Sequence, residues 1–168
     1  MGKQLWWMLA GIAACGTTDP SNSYVARDPC AALAIDTTTA TPEQQGGIAD
    51  ALALWRGRGV AAFDLTAPVG DAAAIQIRFD DAAATFHGVY DPASASVLIN
   101  RDLVDRSMLA IVVAHELGHV FGLAHVPLDS RRSLMNPGNV VTPPTDDDQR
   151  ALEAMWGTCP PGATAAAP

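Results

Sequence analysis

The stretch HELGHVFGLAH fills residues 115–125, directly after the apolar run MLAIVVA at 108–114. Its length and apolar character predict a helix over 107–121, and the near absence of a polar face in its first half predicts deep burial. Residues four apart on a helix lie about 40° apart around the axis and about 6 Å apart along it. His115 and His119 therefore share one face, where two imidazoles can meet one metal ion at about 2.0–2.1 Å each. Glu116 points about 100° away from His115, badly placed to ligate but well placed to hydrogen-bond a water held by the metal, as a general base must. Gly122 lets the backbone leave the helix in a left-handed conformation, so that the chain doubles back and offers His125 as a third ligand. Three neutral nitrogens on Zn²⁺ leave one coordination position for water, the open arrangement of a catalytic site. The chain has four histidines and three of them fall in this stretch. On a buried helix they would be costly without such a role.

Working outward, strands come mostly in the middle, with helices before and after them. A short strand is expected at 33–36. Thr41, Pro42 and Gln44 form a strong helix start, with a capping Thr, Pro at the first helical position and Gln at the third. Ile48, Ala51, Leu52 and Trp55 recur at helical spacing, and Gly57 and Gly59 end the run. Gly46 and Gly47 weaken this helix, which must lean on packing through Trp55. At 74–80, Ile75, Ile77 and Phe79 alternate with Gln76 and Arg78, the period of a half-buried strand. Two further strands are expected at 86–90 and 97–100, split by a turn at Asp91-Pro92. A last helix begins at Thr145, with Asp148 as capping partner, and runs to Trp156 before Gly157. Strands in the middle and helices on either side predict an α+β domain with a small mixed sheet and three helices.

A chain of 168 residues suffices for one domain with a real core. Its net charge of −8 argues against nucleic acid as a partner and against electrostatic attachment to anionic lipid. The run Asp146-Asp147-Asp148 lacks the spacing of a calcium loop, and the helix dipole explains acidic residues at a helix start.

The ends differ from the middle. Lys3 and the apolar stretch over 5–14 fit a signal peptide, too short at about 15 Å of helix to span a bilayer. Ile12-Ala13-Ala14-Cys15 resembles the lipobox of bacterial lipoproteins, which implies cleavage before Cys15 and lipidation of that residue. The competing reading is an ordinary signal peptide cut nearby, giving a secreted soluble protein. Gly16 after the cysteine favours an outer-membrane or cell-surface destination. The polar residues from there to about 30 read as a tether, and 158–168 as a disordered tail. With Cys15 set aside, Cys30 and Cys159 flank the folded region, as a disulfide tying its ends or as two free thiols.

The quoted stretch matches the HExxHxxGxxH signature of the metzincin metallopeptidases. Ser133-Leu134-Met135-Asn136-Pro137, with Met135 ten residues past His125, resembles the methionine turn of that family, most closely in its matrixin form. The order of elements over about 31–157 is similar too. The resemblance implies a small zincin domain with a twisted sheet above the metal helix. It implies one catalytic Zn²⁺ on His115, His119 and His125, with Met135 packed beneath as an apolar floor. It implies a zinc endopeptidase in which Glu116 is the general base, and a peptide or protein substrate lying along an edge strand near 86–90, where Gly88 allows close approach. A monomer is expected, with membrane contact only through a lipid on Cys15. Two other readings stay open: a zinc hydrolase of a non-protein amide such as cell-wall material, and a non-catalytic zinc-binding lipoprotein. The chain also departs from the family. Val126 stands where Ser is frequent, Arg131-Arg132 lies where the wall of the first primed pocket should form, and only His87 remains for any second zinc. Cys30 capping the zinc as a thiolate has no surrounding motif to support it.

Overall fold

The computed structural model describes residues 26–60, 62–65 and 74–160. The expected signal stretch, Cys15, most of the tether and nearly all of the tail lie outside them. The described chain runs β1 (Ala32–Asp36), α1 (Pro42–Arg56), β2 (Ala62–Asp64), β3 (Ile75–Asp80), β4 (Gly88–Asp91), β5 (Ser96–Asn100), α2 (Arg106–Val120) and α3 (Asp146–Trp156). The α+β class with a mixed sheet and three helices is what the sequence predicts. The sheet order is β2-β1-β3-β5-β4. Every neighbouring pair is parallel except β4 with β5, so the one antiparallel strand lies at an edge.

β2 is absent from the sequence reading. It is three residues long, parallel to β1, and shows no alternation beyond the single buried Phe63. β4 starts two residues later than predicted, because the Phe86 N–H still closes a turn onto the Ala83 carbonyl at 2.8 Å and the Phe86 carbonyl accepts from the Asn100 side chain at 2.9 Å.

α1 begins as its sequence dictates, with Thr41 and Gln44 forming a reciprocal capping box. One of its glycines has a use that composition alone does not suggest. A Cβ on Gly47 would stand 2.6 Å from Leu109 Cδ2, so this position lets α1 approach α2 closely. Trp55 completes the contact, fully buried, its indole Nε1 donating to the Ala114 carbonyl at 2.9 Å. α2 starts one residue earlier than expected, with Asp105 as N-cap accepting from Met108 N–H at 2.8 Å. Residues 109–118 of α2 are buried without interruption, between α1, β4 and β5. Trp55 and Phe121 meet edge to face at 5.6 Å where α2 ends.

Cys30 and Cys159 are joined by a disulfide that closes a span of 129 residues. Cys30 is thereby committed and does not cap the histidines. Such a bond suits an oxidising, extracytoplasmic setting. No helix among the described residues is long and apolar enough to cross a membrane.

Candidate metal centre

His115 and His119 project from α2 one turn apart, and the left-handed turn at Gly122 (φ +97°) brings His125 back to them. His125 Nε2 lies 3.2 Å from Nε2 of His115 and 3.2 Å from Nε2 of His119. The Nδ1–H of His115 donates to the Leu134 carbonyl at 2.7 Å, and that of His119 to the Leu123 carbonyl at 2.8 Å. Each of these rings is thereby fixed in the tautomer that turns an Nε2 lone pair inward. The Nε2 lone pairs of His115 and His119 thus both face Nε2 of His125 at 3.2 Å, where one cation could take all three nitrogens. Nitrogens bound to one tetrahedral Zn²⁺ at about 2.0–2.1 Å stand roughly 3.3 Å apart, so the donor set fits. These three histidines could hold a metal ion.

Burial sets the charge state. It pushes His115 and His119 down to about 4, and His125 in the same direction. The rings are therefore neutral at ordinary pH, the state in which they ligate. Burial pushes the carboxyl of Glu116 the other way, up to about 8, against the backbone N–H of Tyr90 that it accepts. A metal cation beside it would favour the carboxylate.

The floor beneath the histidines is held by a polar network. Met135 is buried directly under the helix: a Cβ on Gly118 would come within 2.5 Å of its sulfur. Asp148, at the start of α3, is 2% exposed. Its carboxylate accepts from the Ser133 hydroxyl and, at 2.9 Å, from the Leu134 backbone N–H. A path results from Asp148 through the backbone N–H and carbonyl of Leu134 to Nδ1 of His115. Asn139 adds a second donor to the Leu134 carbonyl at 3.0 Å. Asn136 spans the loop above, its Nδ2 reaching the Val126 carbonyl at 2.9 Å while Val126 N–H donates to Met135 O. The residue after His125 is thus fixed at both its backbone groups.

Sequence reading gave Asp148 only a capping role. It does cap, accepting from Thr145 N–H and hydroxyl at 2.8 Å each. Its larger task of anchoring the methionine-bearing loop was not legible. The surplus of Ser and Asn around Met135 was the available signal, since such side chains fix turns by bonding to backbone. The other two acids of the run pair outward, Asp146 with Arg58 and Asp147 with Arg150 and Arg131. Arg131 is thereby tied to α3, while Arg132 contacts Thr142.

His87 stands outside the cluster, just before β4. Gly88 is needed on its inner face, where its Cβ would fall 2.9 Å from Val112 Cγ1 and 3.3 Å from Glu116 Cγ. It lets α2 approach the strand. Because His87 and Asn100 form a hydrogen-bonded pair, the alternation of an antiparallel ladder turns the backbone groups of Gly88 to the outer side of the sheet.

No family model matches the chain, and no curated protein does. Among solved structures, the crystal structure of myroilysin is similar with a TM-score of 0.59, at 12% identity over 82% of this chain and 88% of that one. At that identity the likeness shows a shared fold.

Proposed function

We propose that this chain is a zinc-dependent endopeptidase of metzincin type, exported and tethered by a lipid on Cys15. The observation that carries the reading is the convergence of three imidazole Nε2 atoms, two of them locked in the ligating tautomer by backbone carbonyls. When bound there, Zn²⁺ supplies a Lewis acid that polarises a carbonyl and acidifies water.

The remaining work belongs to the chain. Glu116, buried beside the ligands, takes the proton of the attacking water on its carboxylate and returns it to the leaving amine nitrogen. The Tyr90 N–H steadies that carboxylate from the edge strand. An extended peptide adds to the outer edge of β4, where the backbone groups of Gly88 provide pairing sites. Met135 gives the three histidines an apolar, unyielding base. An open strand edge beside the candidate base supports a polypeptide substrate over a small amide.

The test is cleavage of an unstructured protein by the purified chain, beside Glu116→Gln and a chelated sample. We expect one zinc per chain in both proteins, with cleavage lower by about 100- to 10,000-fold in Glu116→Gln, and cleavage lost on chelation. Undiminished cleavage by Glu116→Gln would overturn the assigned base. A wild-type chain that takes up no zinc would overturn the whole reading.

A further inference from the structure

The last turn of α2 must find partners for its final carbonyls. Those of Gly118 and His119 are met locally, by Leu123 and Gly122 N–H at 2.9 Å each. The next two are met from opposite ends of the chain. Val120 O accepts from the backbone N–H of Arg27 at 2.8 Å, and Phe121 O from the indole Nε1 of Trp156 at 2.9 Å. Arg27 lies three residues before Cys30, and Trp156 three residues before Cys159. These are the two cysteines whose bond holds their Cα atoms 5.0 Å apart. The same two segments flank Gly122: a Cβ there would be 3.0 Å from Ala26 and 3.9 Å from the Met155 sulfur.

Half of the candidate centre lies just beyond this clamped point. Within three residues of Gly122 come Leu123, whose carbonyl orients His119, and His125 itself. The third ring, His115, is held from the other side by Leu134.

We propose that the Cys30–Cys159 disulfide, acting through Arg27 N–H and the Trp156 indole, is a clamp on the exit of the metal helix that slows loss of the metal. Cys30, Cys159 and Trp156 are positioning residues in this assignment, and none of them touches the metal. The disulfide keeps two chain ends, each with one hydrogen bond to the helix, from fraying independently. Fraying of either would free the turn that carries the acceptor of His119 and the ligand His125. The clamp rests on the proposal that the three histidines hold zinc.

Zinc release into a chromogenic chelator would be timed for the wild-type chain, the double variant Cys30→Ser/Cys159→Ser, and Trp156→Phe. In parallel, amide hydrogen exchange would be followed on the metal-free proteins at Leu123, in the exit turn, and at Ile77, in the central strand β3. Release should quicken by roughly tenfold or more in the double variant and by a smaller factor in Trp156→Phe. Exchange at Leu123 should accelerate while that at Ile77 does not. Release within about twofold of wild type, or equal acceleration at Leu123 and Ile77, would overturn the clamp, the latter by reducing it to general stability. Should the double variant not fold, Trp156→Phe decides by the same two criteria. A wild-type chain without zinc would defeat the functional reading, while exchange at Leu123 would still test the clamp.

Discussion

Helix α2 and the loop after it, residues 121–145, supply the same centre by opposite means. The helix carries His115 and His119 on a body of aliphatic side chains, with residues 109–118 buried in sequence. Its own backbone bonds set the spacing of the two rings, and neighbouring elements need only exclude water. The loop has no such internal order. Leu134 and Met135 are its apolar contribution to the floor, and the rest of its shape comes from Ser133, Asn136, Asn139 and Asp148 bonding to backbone. Packing is distributed over many contacts and tolerates small losses. A polar network concentrates several donors on one acceptor, and removing that acceptor strands them all.

The largest expected effect tests that contrast directly. Asp148→Ala would leave Ser133 Oγ, Leu134 N–H and the two Thr145 donors without their acceptor. The cost should be about 3–5 kcal/mol, read from denaturant midpoints. Trimming a helix residue of equal burial, Val113→Ala, should cost about 2 kcal/mol. If the two variants prove equally stable, the distinction between a distributed and a concentrated support fails.

The same contrast explains what could be read beforehand. The spacing of His115, Glu116 and His119 is a property of any helix, so their faces follow from sequence alone. The turn to His125 was legible because Gly122 marks a left-handed residue, and φ is +97° there. The capping box at Thr41 and the alternation of Ile75 and Ile77 are local patterns that survive folding unchanged. What was not legible joins distant positions. Asp148 meets Leu134 across 14 residues, Trp156 meets Phe121 across 35, and the Arg27 amide meets Val120 from the other end of the chain. The close packing of α2 on β4 at Gly88, through Val112, is another such long-range contact. Strand β2 escaped notice because three residues are too few to show a period.

A second, smaller effect exploits the exception within the helix. Glu116 is 4% exposed, an acid buried among mostly aliphatic side chains, and burial lifts its carboxyl from an ordinary 4.5 to about 8. The folded value lies above the unfolded one. Its contribution is therefore intact below about 4.5 and is lost as pH rises through about 8. At about pH 7 the loss should be on the order of 3 kcal/mol in the metal-free protein. His115 and His119 work in the opposite sense, their folded values of about 4 lying below the ordinary 6.5, so their burial costs stability as pH falls from 6.5 toward 4. Comparing metal-free wild type with Glu116→Gln cancels the histidines. The variant's stability advantage should grow between pH 4.5 and about 8, and shrink when zinc is present to favour the carboxylate. A constant difference across that range would show that Glu116 is not held neutral by its surroundings.

The smallest effect probes the seam where helix and loop meet. An exposed helix position normally gains about 1 kcal/mol when Gly becomes Ala, because the free chain loses conformational freedom. Gly46 in α1, half-buried, is close to such a position: the three nearest atoms to its Cβ would be those of the Arg106 guanidinium, from 3.1 Å, on a side chain 63% exposed that pairs with Asp50 at the helix surface. Gly118 in α2 is not. Its Cβ would press on the Met135 sulfur at 2.5 Å and methyl at 3.2 Å, with Trp55 Cζ2 at 3.5 Å, and Met135 is 1% exposed. Overcrowding there should outweigh the backbone gain and leave Gly118→Ala less stable by about 1–2 kcal/mol. The displaced Met135 should also shift the neighbouring Leu134 carbonyl that orients His115, so zinc affinity should fall together with thermal stability. Gly46→Ala should raise stability with zinc affinity unchanged. Were both alanines stabilising, the floor would be yielding rather than rigid, and the polar network would alone account for how the loop holds its place beneath the helix.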